Sequence, residues 1–324
     1  MAQSLDQLSR IDISGYKSIK HCSIELKKTN VIIGSNGAGK SNFISIFALL
    51  QDILAKNLQV AVGQNGLNSL FYNGRKITEE IAAEVFFGKN SYGFNLIPTD
   101  DNRIIFKKEY FAYHGNYENE SNISRGHSES MWQAGSRNKL DEYIKPILAK
   151  QNWRVYHFHD TGRNSRVKQE HNISNNLVLM SDGGNLAAFL HRLKHNYVKS
   201  YDEIVSTIQL IAPYFKDFVL EPQESNREQI ILRWQQKGCE DIFNASQFSD
   251  GTLRFICLAV LLLQPHELQP AAIIIDEPEL GLHPYAVTIF SEMAKQLPYE
   301  KQIVISTQSV ELLSEFDAED VIVA

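Results

Sequence analysis

The hydrophobic and polar positions of the chain first follow a strand period and then a helix period. Apolar and polar residues alternate over Leu8–Ile13 until Gly15, so we expect a strand and a turn. A short second strand is expected over Ser23–Leu26, and the apolar run Val31–Ile33 leads into a glycine loop, which is typical of a buried strand. Apolar residues at helical spacing over Asn42–Leu54 predict a helix directly after that loop.

The middle of the chain is more polar. From Ile81 to Tyr113 the period falls toward two, which predicts antiparallel strands, and the segment Asn116–Gly135 is predicted as a long polar loop. Further elements are then expected in this order: a helix over Lys139–Lys150, a strand over Trp153–Phe158, helices over Leu186–Tyr197 and Tyr201–Ile211, and strands over Asp217–Leu220 and Gln229–Trp234.

The C-terminal part returns to alternating helices and strands. We expect helices over Thr252–Leu263, Pro284–Gln296 and Val310–Phe316, and strands over Ala271–Ile275, Gln302–Ser306 and Val321–Val323. Because both ends of the chain are α/β, we predict one head built from an N-terminal lobe (1–115) and a C-terminal lobe (246–324). Residues 116–245 would be a partly helical arm or lid inserted in that head, with one core strand over 153–158.

Composition excludes several classes of protein. The 324 residues carry a formal net charge of −6, so there is no global basic field of the kind that attracts nucleic acids. The three cysteines are not arranged in pairs, which argues against a disulfide framework and a zinc site. The longest apolar run, Phe255–Leu263, is far shorter than the roughly 20 residues of a membrane span. We therefore expect a cytoplasmic protein without a membrane partner.

The strongest chemical signal is the sequence GSNGAGKS at Gly34–Ser41, which lies between a predicted strand and a predicted helix. In this context the pattern G-x-x-x-x-G-K-[ST] predicts a phosphate-binding loop, and the alternative is a glycine turn without function. Lys40 would reach the β- and γ-phosphates, and Ser41 would hold Mg²⁺. The residues expected to bind the nucleotide here are Gly34, Ser35, Asn36, Gly37, Ala38, Gly39, Lys40, Ser41 and Asn42.

A second signal is the apolar strand that ends in Asp276 and Glu277. Such a strand resembles a Walker B segment, in which Asp276 would position Mg²⁺ and Glu277 would orient or deprotonate the attacking water. The alternative is a buried strand followed by a solvated acidic turn.

A third signal is FSDGT at Phe248–Thr252, just before the apolar helix. A serine hydroxyl and glycine amides at a helix N-terminus form a second anion site, and one chain does not need two phosphate clamps for one nucleotide. The residues of this site would be Ser249, Asp250, Gly251 and Thr252. The alternative is a serine N-cap with an Asx turn.

Together these motifs resemble those of the RecF/SMC/OLD branch of ABC ATPases, and more narrowly of the bacterial "AAA family" RecF-like ATPases. The resemblance rests on GYKS after the first strand, GSNGAGKS, FSDGTLRF, IIIDEPELGLHP and ISTQS, with WRVYHFHDT in the middle. It implies a mixed sheet with helices, an antiparallel β subdomain, ATP and Mg²⁺ as cofactors, and a homodimer in which FSDGT of one protomer closes on ATP held by the other.

The resemblance also assigns roles near the C-terminus. Glu279–Pro284 match the D-loop, which crosses the dimer interface in the family, and Ser306–Ser309 match the switch strand. Most ABC proteins have a switch histidine that contacts the γ-phosphate, where this chain has Gln308. A glutamine can hydrogen-bond a phosphate or water but cannot carry a proton, so the turnover rate is left open.

Three weaker candidates remain open at this point. His157, His159 and Asp160 follow a predicted core strand and are candidates for the metal or water edge of the site, or ordinary solvated residues. The stretch Arg154–Lys199 holds seven Arg/Lys against three acids and is either a nucleic-acid surface or a solvated helix face, which we favour. Lys17 and Lys20 are candidates for facing a nucleotide base or DNA.

Two hypotheses of function follow from these residues and the resemblance. The first is an ATPase that acts as an ATP-driven dimerisation switch in DNA-related work, either repair or anti-phage defence. The resemblance implies a nuclease domain after the ATPase in OLD-type relatives, and since no such domain follows here, a nuclease or toxin effector would be a separate chain. The stop at Ala324 within an expected strand suggests that a C-terminal piece is missing relative to similar proteins. The second is an ATP-binding scaffold that holds such a partner and hydrolyses little ATP. The dimer, or a higher oligomer, is expected under both.

Overall fold

The computed structural model describes residues 7–116, 118–135, 139–150 and 153–324. Its strands are β1 (Arg10–Tyr16), β2 (Ile19–Glu25), β3 (Thr29–Ile33), β4 (Ile81–Phe87), β5 (Asn90–Pro98), β6 (Ile104–His114), β7 (Glu118–Ser124), β8 (Trp153–Tyr156), β9 (His171–Asn172), β10 (Phe215–Val219), β11 (Gln229–Ile230), β12 (Arg233–Gln236), β13 (Ile242–Asn244), β14 (Ala272–Asp276), β15 (Gln302–Thr307) and β16 (Val321–Val323). Its helices are α1 (Lys40–Leu54), α2 (Leu58–Asn65), α3 (Leu67–Leu70), α4 (Lys139–Lys150), α5 (Leu186–Asn196), α6 (Val198–Ile211), α7 (Asp250–Leu263), α8 (Pro284–Lys295) and α9 (Val310–Ser314).

The centre of the fold is a parallel sheet of five strands in the order β16-β3-β15-β14-β8. The three middle strands, β3, β15 and β14, are buried along nearly their whole length because both faces of the sheet are covered there. Ile274 and Val304 belong to one hydrophobic core, together with α1 and the antiparallel sheet. Ile273 and Ile303, their neighbours along the strands, belong to a second core with α5–α8.

The direction of these strands gathers the sequence motifs at one edge. In parallel strands all carboxyl ends lie on the same side, which is where open α/β sheets bind ligands. The register pairs Asp276 with Ser306, and Ile33, the last residue before the glycine loop, with Thr307. This edge therefore holds the glycine loop after β3 and the carboxyl ends of β15, β14 and β8, which are neighbours in the sheet.

A second sheet of six antiparallel strands, in the order β2-β1-β4-β5-β6-β7, packs against α1. Small antiparallel sheets are formed by β10, β12 and β13 and by β9 and β11. The expected mixed α/β fold with an antiparallel β subdomain is therefore present. No helix among the described residues is long and apolar enough to cross a bilayer.

Two sequence predictions of this region are wrong. Gly15 does not end β1, because the hairpin with β2 continues to the pair Tyr16–Ile19. The segment predicted as a polar loop, Asn116–Gly135, contains β7, which pairs with β6. Part of this segment wraps around the fully buried Glu109, whose carboxylate accepts a hydrogen bond from the Met131 N–H at 2.9 Å. Buried polar contacts of this kind are not visible in hydrophobic periodicity.

Two further differences have tertiary causes. Helix α2 was not expected, since its sequence has no clear period. The Glu129 carboxylate, far away in the chain, accepts hydrogen bonds from the Leu58 and Gln59 N–H groups and so caps α2. The single strand expected over Gln229–Trp234 is two strands, because β11 pairs with β9 while β12 pairs with β10 and β13.

The segment 116–245, expected as an inserted arm or lid, contributes to both cores. Leu140 and Ile144 of α4 lie in the core of the antiparallel sheet. Leu190 of α5 and Ile208 of α6 lie in the core that contains α7 and α8. The helices of this segment thus pack directly on the head.

Candidate active site

The glycine loop joins β3 to α1. Gly37 and Gly39 have φ angles of 84° and 103°, in the left-handed region that favours glycine. The ammonium of Lys40, a residue only 6% exposed, donates to the carbonyls of Gly34 at 2.7 Å and Ser35 at 3.1 Å. No described side chain caps the N-terminus of α1, so its first N–H groups and the helix dipole suit an anion such as phosphate.

A cavity of about 650 Å³ opens beside this loop. Its wall consists of Ala38–Lys40 from the loop, Ser18–Glu25 around β2 and the end of β16. The Asn42 amide donates to the Ser18 hydroxyl at 2.7 Å, which ties α1 to this wall. The cavity has the size and position for a nucleoside attached to phosphates in the loop. Lys20 lines it, whereas Lys17 lines a separate small pocket beside Tyr16.

The acidic end of β14 is held by the neighbouring strand. The Ser306 hydroxyl donates to the Asp276 carboxylate, and the Glu277 N–H donates to the Ser306 carbonyl at 2.8 Å. Glu277 has a φ of 44°, so the chain turns sharply here. The Glu277 carboxylate accepts a hydrogen bond from the Gln308 side-chain amide. Asp276 is the last residue of β14, and the exposed Ser41 follows the glycine loop after β3. Both offer the oxygen donors that Mg²⁺ prefers. The residues present therefore fit a magnesium ion.

The three polar residues after β8 have different surroundings. His159 Nε2 donates to the Asp276 carbonyl at 2.7 Å. Burial lowers the pKa of His157, while the Asp276 carboxylate acts in the opposite direction. Asp160 instead accepts a hydrogen bond from the Gly162 N–H and shapes its own loop. Two of the three candidates thus lie beside Asp276, and Asp160 does not contact it.

The FSDGT motif begins α7 at an exposed corner. The Ser249 hydroxyl accepts a hydrogen bond from the Thr252 N–H at 3.1 Å, so it is an N-cap. A Cβ on Gly251 would lie 2.3 Å from the Gly281 carbonyl oxygen, so only glycine fits this approach. Ser249 and Thr252 line a cavity of about 260 Å³ that shares no lining residue with the cavity beside the glycine loop. The FSDGT motif and the glycine loop of one chain therefore line separate cavities.

Comparison with known proteins places the chain in a family. Residues 29–314 match the family described as "AAA domain, putative AbiEii toxin, Type IV TA system". This match spans most of the chain. The chain belongs to this family. No curated protein sequence matches it significantly.

Solved structures with the same fold as this AAA domain include SMC heads. An SMC head bound to the C-winged helix domain of ScpA superposes with a TM-score of 0.56 at 14% identity, covering 96% of this chain and 92% of that one. An SMC head with an extended coiled coil, bound to the C-terminal domain of ScpA and derived from Pyrococcus furiosus, gives 0.51 with the same identity and coverage. The family match and this fold confirm the resemblance to an ABC-type, RecF/SMC-like ATPase.

The basic stretch of this AAA domain is largely engaged within the chain. Arg166 pairs with Asp182 at 2.9 Å, and Lys194 pairs with Asp217 at 2.9 Å. Arg192 donates to the carbonyls of Asn176 and Leu177, and Lys168 donates to the Thr161 carbonyl near Asp250. These contacts favour a structural role for the stretch over a nucleic-acid surface.

Sequence reasoning missed Arg254, which lies in the first turns of α7. Its guanidinium donates to the Leu280 carbonyl at 2.6 Å and to the His159 carbonyl at 2.8 Å. A planar fork with several donors can hold two carbonyls at once. Arg254 therefore joins the FSDGT helix to the loop after Glu279 and to the residues beside Asp276. The signal in the sequence is its place within FSDGTLRF, at the start of a largely apolar helix.

Replacing Arg254 by methionine is expected to lower the free energy of unfolding by about 1–3 kcal/mol, because two part-buried carbonyls lose their donor. Urea unfolding followed by circular dichroism measures this change. Arg227 lies exposed in a loop and is the matched control, since Arg227→Met should leave the unfolding midpoint in place. Equal midpoints for the two variants would show that Arg254 does not stabilise this junction.

Proposed function

We propose that this chain binds ATP with Mg²⁺ and acts as a switch that dimerises head to head and separates after hydrolysis. The observation that supports it best is the separation of the two anion sites. Ser249 and Thr252 line a different cavity from Lys40, and Ser249 is exposed. Because an exposed helix N-terminus attracts phosphate, a second copy supplies the most direct partner for it.

Each residue has a role in this proposal. The loop Gly34–Asn42 binds the triphosphate through backbone N–H groups, and Lys40 neutralises charge on the β- and γ-phosphates. Ser41 and Asp276 would hold Mg²⁺, which supplies charge neutralisation when bound. Glu277 orients or deprotonates the attacking water. Phosphoryl transfer needs mainly positioning and charge stabilisation, which such residues provide.

Gln308 sets the position of Glu277 in this mechanism. Its amide donates to the Glu277 carboxylate and leaves the second carboxylate oxygen available for a water. The same hydrogen bond is also the observation that fits the alternative function, in which the chain is an ATP-binding scaffold with little turnover that positions a toxin or nuclease. If Gln308 withdraws Glu277 from the water, ATP binds and the dimer persists. Wild-type protein that binds ATP without measurable turnover would support this alternative.

We place the switch in DNA-related work, in repair or anti-phage defence, with a separate effector. Support for a partner chain comes from the SMC heads of the same fold, both of which were solved bound to ScpA. The proposed role in DNA-related work is based on the resemblance of the motifs to RecF/SMC/OLD ATPases. Turnover and DNA binding measured with and without linear double-stranded DNA test this role. Equal turnover rates and no retention of the protein on DNA would contradict it.

The dimer makes a specific kinetic prediction. Phosphate release per chain is expected to rise with protein concentration toward a plateau, because two chains complete each site. Steady-state assays over a wide concentration range measure this, with light scattering reporting the mass in ATP. Constant turnover per chain from a species of monomeric mass would contradict the proposal.

A further inference from the structure

We infer that Glu279 is a positioning residue that holds the end of β15 so that Gln308 faces Glu277. This inference rests on the proposed function, because it concerns the same reaction. Glu279 lies two residues after Glu277 and was expected only as the first residue of the D-loop. Its side chain turns back toward the sheet.

The contacts of Glu279 lead to the switch segment. Its Oε1 accepts a hydrogen bond from the Thr307 hydroxyl and a longer one from the Gln308 N–H at 3.4 Å. The Thr307 hydroxyl in turn accepts from the Ser309 N–H at 2.9 Å. One carboxylate oxygen thus joins the D-loop directly to Thr307 and Gln308, and through the Thr307 hydroxyl to Ser309.

The place of this carboxylate is unfavourable for a charge. Its Oε2 is buried and has no hydrogen-bond partner among the described residues. Burial raises the pKa of Glu279, and the nearby Glu277 carboxylate acts in the same direction, against the hydrogen bond from Thr307. A partly buried acid next to another acid costs stability, so its contacts with the switch must compensate.

The backbone of Glu279 is fixed from the other side. Its carbonyl accepts from the Leu282 N–H at 3.0 Å, and the next carbonyl, that of Leu280, accepts from Arg254. A continuous set of contacts therefore runs from the FSDGT helix through Arg254 and Glu279 to Gln308 and Glu277. Closure of a second copy on Ser249 would act on the same helix.

The test compares substitutions that keep or remove the acceptor. Glu279→Ala is expected to lower kcat by about 10- to 100-fold with little change in KM for ATP, since Gln308 and Glu277 are misplaced while the nucleotide site is intact. Glu279→Gln keeps an acceptor oxygen and should retain kcat within about threefold. Glu292→Gln, the same exchange on the exposed face of α8, is the matched control.

Thr307→Val removes the same hydrogen bond from the opposite side and should reproduce the loss in kcat, so the test survives if Glu279→Ala does not fold. A wild-type kcat in Thr307→Val, or in a folded Glu279→Ala, would overturn the inference. Glu279→Gln as inactive as Glu277→Gln would also overturn it, because Glu279 would then handle a proton itself. Wild-type turnover in Glu277→Gln would instead overturn the proposed function, and this inference with it.

Discussion

Replacing Glu277 by glutamine is expected to lower ATP turnover by about 10²- to 10⁴-fold and to leave ATP binding unchanged. The amide has the shape of the carboxylate, and its oxygen still accepts a hydrogen bond from Gln308. What it loses is the ability to take a proton from water. Steady-state phosphate release and a titration with a fluorescent ATP analogue measure the two quantities separately.

A matched control for this substitution is Glu300→Gln, which changes an exposed residue before the amino end of β15, whereas the switch segment lies at the carboxyl end of that strand. It should leave both turnover and ATP binding in place. If Glu277→Gln also turned over ATP at the wild-type rate, Glu277 would not be the catalytic base. A simultaneous loss of ATP binding would assign Glu277 to the nucleotide site rather than to the water.

The second large effect concerns the two halves of the composite site. Lys40→Ala is expected to weaken ATP binding by about 10²-fold, because a charge-assisted contact to the phosphates is lost. Ser249→Arg is expected to bind ATP normally but to lower turnover by about 10²- to 10³-fold, because it removes a preorganised donor and fills the exposed corner of α7. Each variant alone should therefore be nearly inactive, for different reasons.

Both variants are expected to remain folded. Among the described residues, Lys40 donates hydrogen bonds only to carbonyls of its own loop, and the Ser249 cap is worth about 1 kcal/mol. Thermal unfolding checks this point before turnover is compared. If Ser249→Arg left turnover intact, the FSDGT motif would not be part of the active site.

Much of the central sheet could be predicted because its strands are short apolar runs. The strands around Val31 and Ile274 and the helices after them lie within a few residues of their predicted positions. Parallel strands then require that Lys40, Asp276 and Gln308 come to one edge, so the outline of the site also follows from the sequence. Motif spacing and hydrophobic period agree in these parts of the chain.

The rest depends on contacts between distant residues. Helix α2 is capped by Glu129, and residues near Met131 are held by the buried Glu109. Arg254 and Glu279 lie within FSDGTLRF and IIIDEPELGLHP, but those motifs do not give their partners, which are carbonyls and hydroxyls that the fold brings to them. Sequence periodicity reports burial and does not report such polar partners.

The most direct test of the central claim mixes the two inactive variants. In a mixture of Lys40→Ala and Ser249→Arg, a mixed dimer contains one intact site, formed by the loop of the Ser249→Arg chain and the FSDGT motif of the Lys40→Ala chain. With equal amounts of the two variants and random pairing, half of the dimers are mixed and each has one of its two sites intact, so turnover is expected to recover to about a quarter of the wild-type value. If no turnover reappears at any ratio of the two folded variants, the site is not completed by a second copy.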